Sequence, residues 1–85
     1  MIPYHPPLKR SMTIAGHQTS ISLEPMFWAA LEAEARRHNL ALNALVAQVD
    51  AARLDAKRPP NLTSALRQYL FRVMMGASAD EAAAV

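Results

Sequence analysis

The chain has 85 residues, of which 52% are hydrophobic and 19% are charged, and its formal net charge at pH 7 is +2. This composition is too apolar for a disordered chain, and the length allows one domain. Disulfides and thiolate metal sites are excluded because there is no cysteine, and no apolar run approaches the roughly 20 residues that a membrane helix requires. We therefore expect a cytoplasmic protein without a secretion signal, and the surplus of apolar residues predicts a dimer interface.

The start of the chain is rich in proline. Three prolines within residues 3–7 remove backbone donors and stiffen the chain, and Lys9 and Arg10 follow them directly. Residues 1–10 are therefore predicted to form a flexible basic arm.

Residues 18–23 alternate between polar and apolar side chains, which predicts a β-strand. The residues expected to face the core are Thr19, Ile21 and Leu23. The residues on the opposite face are Gln18, Ser20 and Ser22. The strand needs a partner for its backbone hydrogen bonds, and this partner is either residues 11–14, which alternate more weakly, or the same strand of another copy. Because the second possibility also accounts for the apolar surplus, we expect one short strand per chain and an antiparallel ribbon between subunits.

Three helices are predicted after the strand. Pro25 suits the first turn of a helix over residues 25–38, which Asn39 can end in the left-handed conformation. Residues 42–56 carry an amphipathic stripe that stops before two consecutive prolines. Asn61 is a good N-cap for a third helix, whose apolar stripe continues almost to Gly76.

This order divides the chain into a basic arm (1–10), a strand-helix-helix core (11–58), an additional C-terminal helix (59–76) and a tail that we expect to be disordered (77–85). Eight side chains are predicted to form the core or a dimer interface. They are Thr19, Ile21, Leu23, Phe27, Leu31, Leu45, Val46 and Val49. Trp28 lies beside the predicted stripe of the first helix.

The sequence contains no pattern typical of an enzyme. A nucleophile motif, a phosphate-binding loop and an acid–base pair at recognisable spacing are all missing. His5, His17 and His38 fall on different elements without a pair of carboxylates at ligand spacing, so no metal site is predicted. We expect a protein without enzymatic activity, cofactor or metal.

Two stretches of the chain resemble the ribbon-helix-helix (MetJ/Arc/CopG-like) family of DNA-binding domains. The stretch SISLEPMFWAAL, at residues 20–31, is similar to the family's passage from strand to first helix. The stretch ARRHNLALNALV, at residues 35–46, is similar to the connection between its two helices. The resemblance covers residues 18–56 and implies a mainly α, ribbon-helix-helix fold: an intertwined homodimer with an intersubunit antiparallel β-ribbon that lies in the major groove.

The same resemblance implies which residues contact DNA. Those that would contact base edges are Gln18, Ser20 and Ser22, and the amide of Gln18 can pair with adenine. Those that would contact phosphate are Ala41, Leu42 and Asn43 at the start of the second helix, with Lys9 and Arg10 on the arm. Two features depart from the family pattern: alanine replaces the usual serine or threonine cap at position 41, and the outer face of the strand carries no arginine or lysine.

These features predict a dimeric transcriptional regulator of the repressor or antitoxin type, which binds double-stranded DNA as a homodimer or as two dimers side by side. The two departures favour an alternative: a dimerisation scaffold with little DNA binding. In that alternative the C-terminal helix binds a partner protein through Leu66, Leu70 and Met74.

Overall fold

Two strands and three helices make up the part of the chain that the structure, a computed structural model, describes, namely residues 3–76. In chain order they are β1 (Leu8–Ile14), β2 (His17–Leu23), α1 (Pro25–Arg37), α2 (Leu42–Leu54) and α3 (Leu62–Met74). The tail that we expected to be disordered, residues 77–85, lies outside the described residues. The three helices contact one another and pack against the hairpin, α2 against β1 and α3 against β2.

The two strands form an antiparallel hairpin within one chain, with Leu8 opposite Leu23 and Ile14 opposite His17. A two-residue turn joins them, in which Ala15 has φ +50° and Gly16 has φ +83°. Positive φ at both central residues is what a type I′ turn requires, and its twist matches that of paired strands. Ala15 and Gly16, which separate the two alternating stretches of sequence, therefore form a turn.

The hairpin corrects three of our expectations. The chain has two strands where one was expected, and residues 11–14 supply the partner of β2, so this pairing is not made with a second copy. β1 also begins earlier than residue 11, so Leu8, Lys9 and Arg10 belong to the sheet and the arm is shorter than predicted. Dimerisation itself stays a prediction. The backbone groups along one edge of β2 already form hydrogen bonds with β1, so this edge does not require a second copy.

The hydrophobic core lies between the inner face of the hairpin and the three helices. Its buried apolar side chains are Ile14, Ile21, Leu23, Trp28, Leu31, Ala35, Leu45, Val46, Val49, Ala65, Leu66, Tyr69 and Leu70. Of the eight side chains predicted for the core, Thr19 and Phe27 are only half-buried. Burial on this scale needs all three helices, since α3 contributes four of the thirteen core residues.

Trp28 takes the place in the core that we expected for Phe27. It is 1% exposed, and its indole Nε1 donates a hydrogen bond of 2.9 Å to the carbonyl oxygen of Leu8. A buried indole needs such an acceptor, and β1 supplies one. The buried face of α1 is therefore centred on Trp28, Leu31 and Ala35, because the larger aromatic side chain finds a polar partner there.

The connection from α1 to α2 has the hydrogen bonds of a Schellman motif. Asn39, at φ +56°, donates its amide to Arg36 at 3.1 Å, and the amide of Leu40 reaches the carbonyl of Ala35 at 2.8 Å. The left-handed conformation predicted for Asn39 is therefore present. The motif ends α1 abruptly and places the first turn of α2 directly beside the hairpin.

One carboxylate is buried between α1 and α3. Glu34 is 7% exposed and accepts hydrogen bonds from the Tyr69 hydroxyl at 3.1 Å and from Nε of Arg37 at 2.8 Å. The hydrogen bond from Arg37 lowers the pKa of Glu34 below its ordinary value, whereas burial raises the pKa of Tyr69 to about 12. The carboxylate is therefore held ionised and fixes α3 against α1.

Candidate nucleic-acid interface

The outer face of the hairpin consists of polar side chains. The cross-strand pairs on this face are Lys9 with Ser22, Ser11 with Ser20, and Thr13 with Gln18. All six side chains are exposed. Successive strand residues point to opposite sides, so this face is turned away from the helices. We call these six residues the outer face; it holds one cation and no carboxylate.

Sequence reasoning named four of the six residues of the outer face as DNA contacts, namely Lys9 and the three residues of β2. It missed Ser11 and Thr13, because residues 11–14 were only one of two possible partners for the predicted strand. The signal that locates them is the weak alternation over residues 11–14 together with the Ala15-Gly16 turn, which fixes the register of both strands.

Hydrogen bonds across the two strands orient several of these side chains. Nε2 of Gln18 donates to Oγ1 of Thr13 at 2.9 Å, and the hydroxyl oxygens of Ser11 and Ser20 lie 3.4 Å apart. The Gln18 amide keeps one N–H and its carbonyl oxygen free of this contact. The outer face thus offers oriented donors and acceptors on a ribbon narrow enough for the major groove.

Lys9 and Arg10, neighbours in sequence, lie on opposite faces of the hairpin. Lys9 is on the outer face, whereas Nη1 of Arg10 forms an ion pair of 2.7 Å with Oε1 of Glu32. The Arg10 guanidinium also lies 4.7 Å from the ring centre of Trp28. The phosphate contact predicted for Arg10 is therefore corrected, because strand alternation turns this side chain toward α1.

The N-terminus of α2 lies beside the turn end of the hairpin. Ala41 is the N-cap residue, and its side chain makes no capping hydrogen bond. Leu42 and Asn43 follow in the first turn, which contains no acidic residue, and the first amides of a helix have no partner within it. The side-chain amide of Asn43 approaches the carbonyl of Thr13 at 3.5 Å. Of the three α2 residues predicted to bind phosphate, Asn43 thus lies next to the end of β1.

Two of the three residues predicted to bind a partner protein lie inside the core. Leu66 is fully buried and Leu70 is 3% exposed, whereas Met74 is 82% exposed. The apolar stripe of α3 covers the hydrophobic core of its own chain, so Leu66 and Leu70 are not available to a partner. Phe71, an aromatic residue of α3 that lies off this stripe, is 66% exposed.

The three histidines lie on separate parts of the fold. His5 precedes β1, His17 begins β2, and His38 follows α1 with its Nε2 3.3 Å from Glu34. Within residues 3–76 no three potential ligands come together for a metal ion. In the same range no helix has the length and apolar character needed to cross a membrane.

The order of strands and helices is that of a known domain family. The chain belongs to the ribbon-helix-helix family, because the family model of the ribbon-helix-helix domain matches residues 7–74. Domains of this family are commonly DNA-binding transcription regulators, typically form homodimers and are typically not enzymes. Comparison with curated proteins and with solved structures gives no significant match.

Proposed function

We propose that the protein is a transcription regulator, of the repressor or antitoxin type, that contacts the DNA major groove with the outer face of its hairpin. The observation that carries this proposal is a two-stranded ribbon with six exposed polar side chains and no carboxylate. A carboxylate in this position would be repelled by the phosphates on both sides of the groove.

Gln18 is the strongest candidate for base recognition. Bidentate recognition of adenine needs one amide hydrogen for N7 and the amide oxygen for N6. The hydrogen bond to Thr13 uses one of the two amide hydrogens and orients the side chain, and the amide keeps one hydrogen and its carbonyl oxygen for a base. Ser20 and Ser22 contact either a donor or an acceptor and discriminate less.

Phosphate contacts come from the two ends of this surface. Lys9 extends from the outer face, and the amides of Ala41, Leu42 and Asn43 present the positive end of the α2 dipole. Because residue 41 is alanine and has no hydroxyl, phosphate binding at the N-terminus of α2 relies on the backbone amides and the Asn43 side chain. As a homodimer, the protein would present two such surfaces to two half-sites, and two dimers would extend the operator.

The test is selection from a random-sequence duplex pool, carried out with the full chain at two salt concentrations and followed by sequencing. We expect a short motif to be enriched. Gln18→Ala should relax the base preference at one position per half-site, at a cost of about 1–3 kcal/mol for the preferred base. Gln48→Ala, which removes an exposed glutamine from α2, is the matched control.

Lys9→Ala should weaken binding to all sequences and reduce the salt slope by about one unit, whereas Lys57→Ala, at another exposed lysine, should not. Salt-dependent binding without enrichment of any sequence motif would mean that the protein binds DNA non-specifically and is not a sequence-specific regulator. Absence of binding at low salt would refute a role of the outer face in DNA recognition.

A further inference from the structure

A second surface, separate from the outer face, lies where α1 meets α3. It is a groove of about 460 Å³. Its lining residues are Phe27, Arg67, Gln68, Phe71 and Arg72. The helices cover the inner side of the hairpin, so this groove cannot open onto the outer face. Its lining combines two aromatic rings with two cations and contains no carboxylate.

One wall of the groove is held in place by contacts within the chain. Nη2 of Arg67 forms an ion pair of 2.7 Å with Oε1 of Glu24, and its guanidinium lies 5.5 Å from the ring centre of Phe27. These contacts restrict the side chains of Arg67 and Phe27 before any ligand binds. A surface ordered in advance loses less conformational entropy on binding.

The opposite wall is exposed and positively charged. Phe71, which lines it, is 66% exposed. Among residues 3–76 no carboxylate pairs with Arg72. An exposed aromatic ring beside an unpaired guanidinium is the composition found at the centres of protein interfaces, where aromatic residues and arginine are enriched.

We propose that this groove binds an acidic amphipathic segment of another protein. An apolar side chain of that segment packs between Phe27 and Phe71, and a neighbouring carboxylate pairs with Arg72. Charge complementarity supports an acidic partner through Arg72, which has no carboxylate partner among residues 3–76, whereas Arg67 is already paired with Glu24. The two aromatic rings in the lining offer an apolar surface to a side chain, which suits a peptide better than a phosphate backbone.

The probe for this proposal is a phage-displayed random peptide library, selected on the immobilised full chain. We expect enrichment of peptides in which aspartate or glutamate flanks a large apolar residue. The Kd of a selected, fluorescently labelled peptide is then measured by anisotropy. Phe71→Ser and Arg72→Glu should each raise this Kd by ~10-fold or more, as truncation of a central anchor does.

Two control variants match these substitutions. Leu54→Ser removes an apolar side chain that is 57% exposed and does not line the groove. Arg36→Glu makes the same charge change as Arg72→Glu at an exposed position of α1. Neither control should change the Kd of the peptide. Duplex binding by Phe71→Ser should equal that of the unchanged chain, so failure of this proposal and failure of DNA recognition are distinguishable.

Three outcomes would overturn the proposal. The first is a library that enriches no acidic peptides, or only peptides that bind all four variants equally. The second is a change in oligomeric mass on Phe71→Ser, measured by sedimentation, which would make a second copy of the chain the occupant. The third is binding of a single-stranded oligonucleotide that Arg72→Glu abolishes, which would assign the groove to nucleic acid.

Discussion

Replacement of Leu66 by alanine tests whether α3 is part of the core or a separate partner-binding element. Leu66 is fully buried among side chains of the other elements. Loss of three buried carbon groups at about 0.8 kcal/mol each removes about 2.4 kcal/mol, and the cavity left behind adds about 1 kcal/mol. We therefore expect the free energy of unfolding to fall by about 3–4 kcal/mol, a large part of the total for a small domain.

The assay is urea unfolding at fixed protein concentration, followed by the fluorescence of Trp28. This is the only tryptophan in the chain and is 1% exposed, so its emission reports the loss of the core. Met74→Ala, at an 82% exposed position of the same helix, is the control and should stay within about 0.5 kcal/mol. If Leu66→Ala unfolds completely, Leu66→Val should show a smaller loss of about 1 kcal/mol. A loss below about 1 kcal/mol in the alanine variant would contradict the placement of α3 in the core.

The other predictions concern single contacts and use the same unfolding measurement. Ala15→Asn should raise stability by about 0.5–1 kcal/mol, since asparagine tolerates the positive φ of +50° at this turn position; no gain would argue against the type I′ turn. Ala41→Ser should add about 1 kcal/mol by capping α2, and an unchanged urea midpoint would mean that the added hydroxyl makes no capping bond. The hydrogen bond from Arg37 lowers the pKa of Glu34 below its ordinary value of 4.5. The stability that the ionised carboxylate contributes above pH 4.5 should therefore be lost as the pH falls through the pKa of the folded state. In Glu34→Gln the free energy of unfolding should depend less on pH in this acidic range. Arg10→Ala should cost about 0.5–1 kcal/mol through its contact with the indole and leave the salt dependence of DNA binding unchanged; a reduced salt slope would return this residue to the phosphate contacts.

The helices could be predicted from the sequence because local residues determine where they begin and end. Pro25 begins α1, Asn39 ends it in the left-handed conformation, and Asn61 caps α3 by accepting a hydrogen bond from the amide of Ser64 at 2.8 Å. These signals act within one or two turns, so their effect does not depend on the rest of the fold. The apolar stripes likewise indicated which helix faces are buried, although on α1 Trp28 lies in the core where Phe27 was expected.

The features that were not predicted depend on contacts between distant residues. Trp28 is buried because β1 offers a carbonyl acceptor twenty positions earlier in the chain, and Arg10 pairs with Glu32 twenty-two positions later. Neither contact can be recognised until the hairpin register is known. The same holds for Leu66 on α3, since an apolar stripe is identical in sequence whether it packs on its own chain or on another protein.

The hairpin within one chain also makes the proposed DNA-binding surface asymmetric. A ribbon made of the same strand from two subunits has a two-fold axis through its middle, and its two strands carry equal side chains. Here β1 presents Lys9, Ser11 and Thr13, whereas β2 presents Gln18, Ser20 and Ser22. The ribbon therefore has a direction, with its only cation near one end and its amide near the other. A base sequence complementary to it is directional too, so any palindrome in an operator would arise from the arrangement of whole subunits and not from the ribbon itself.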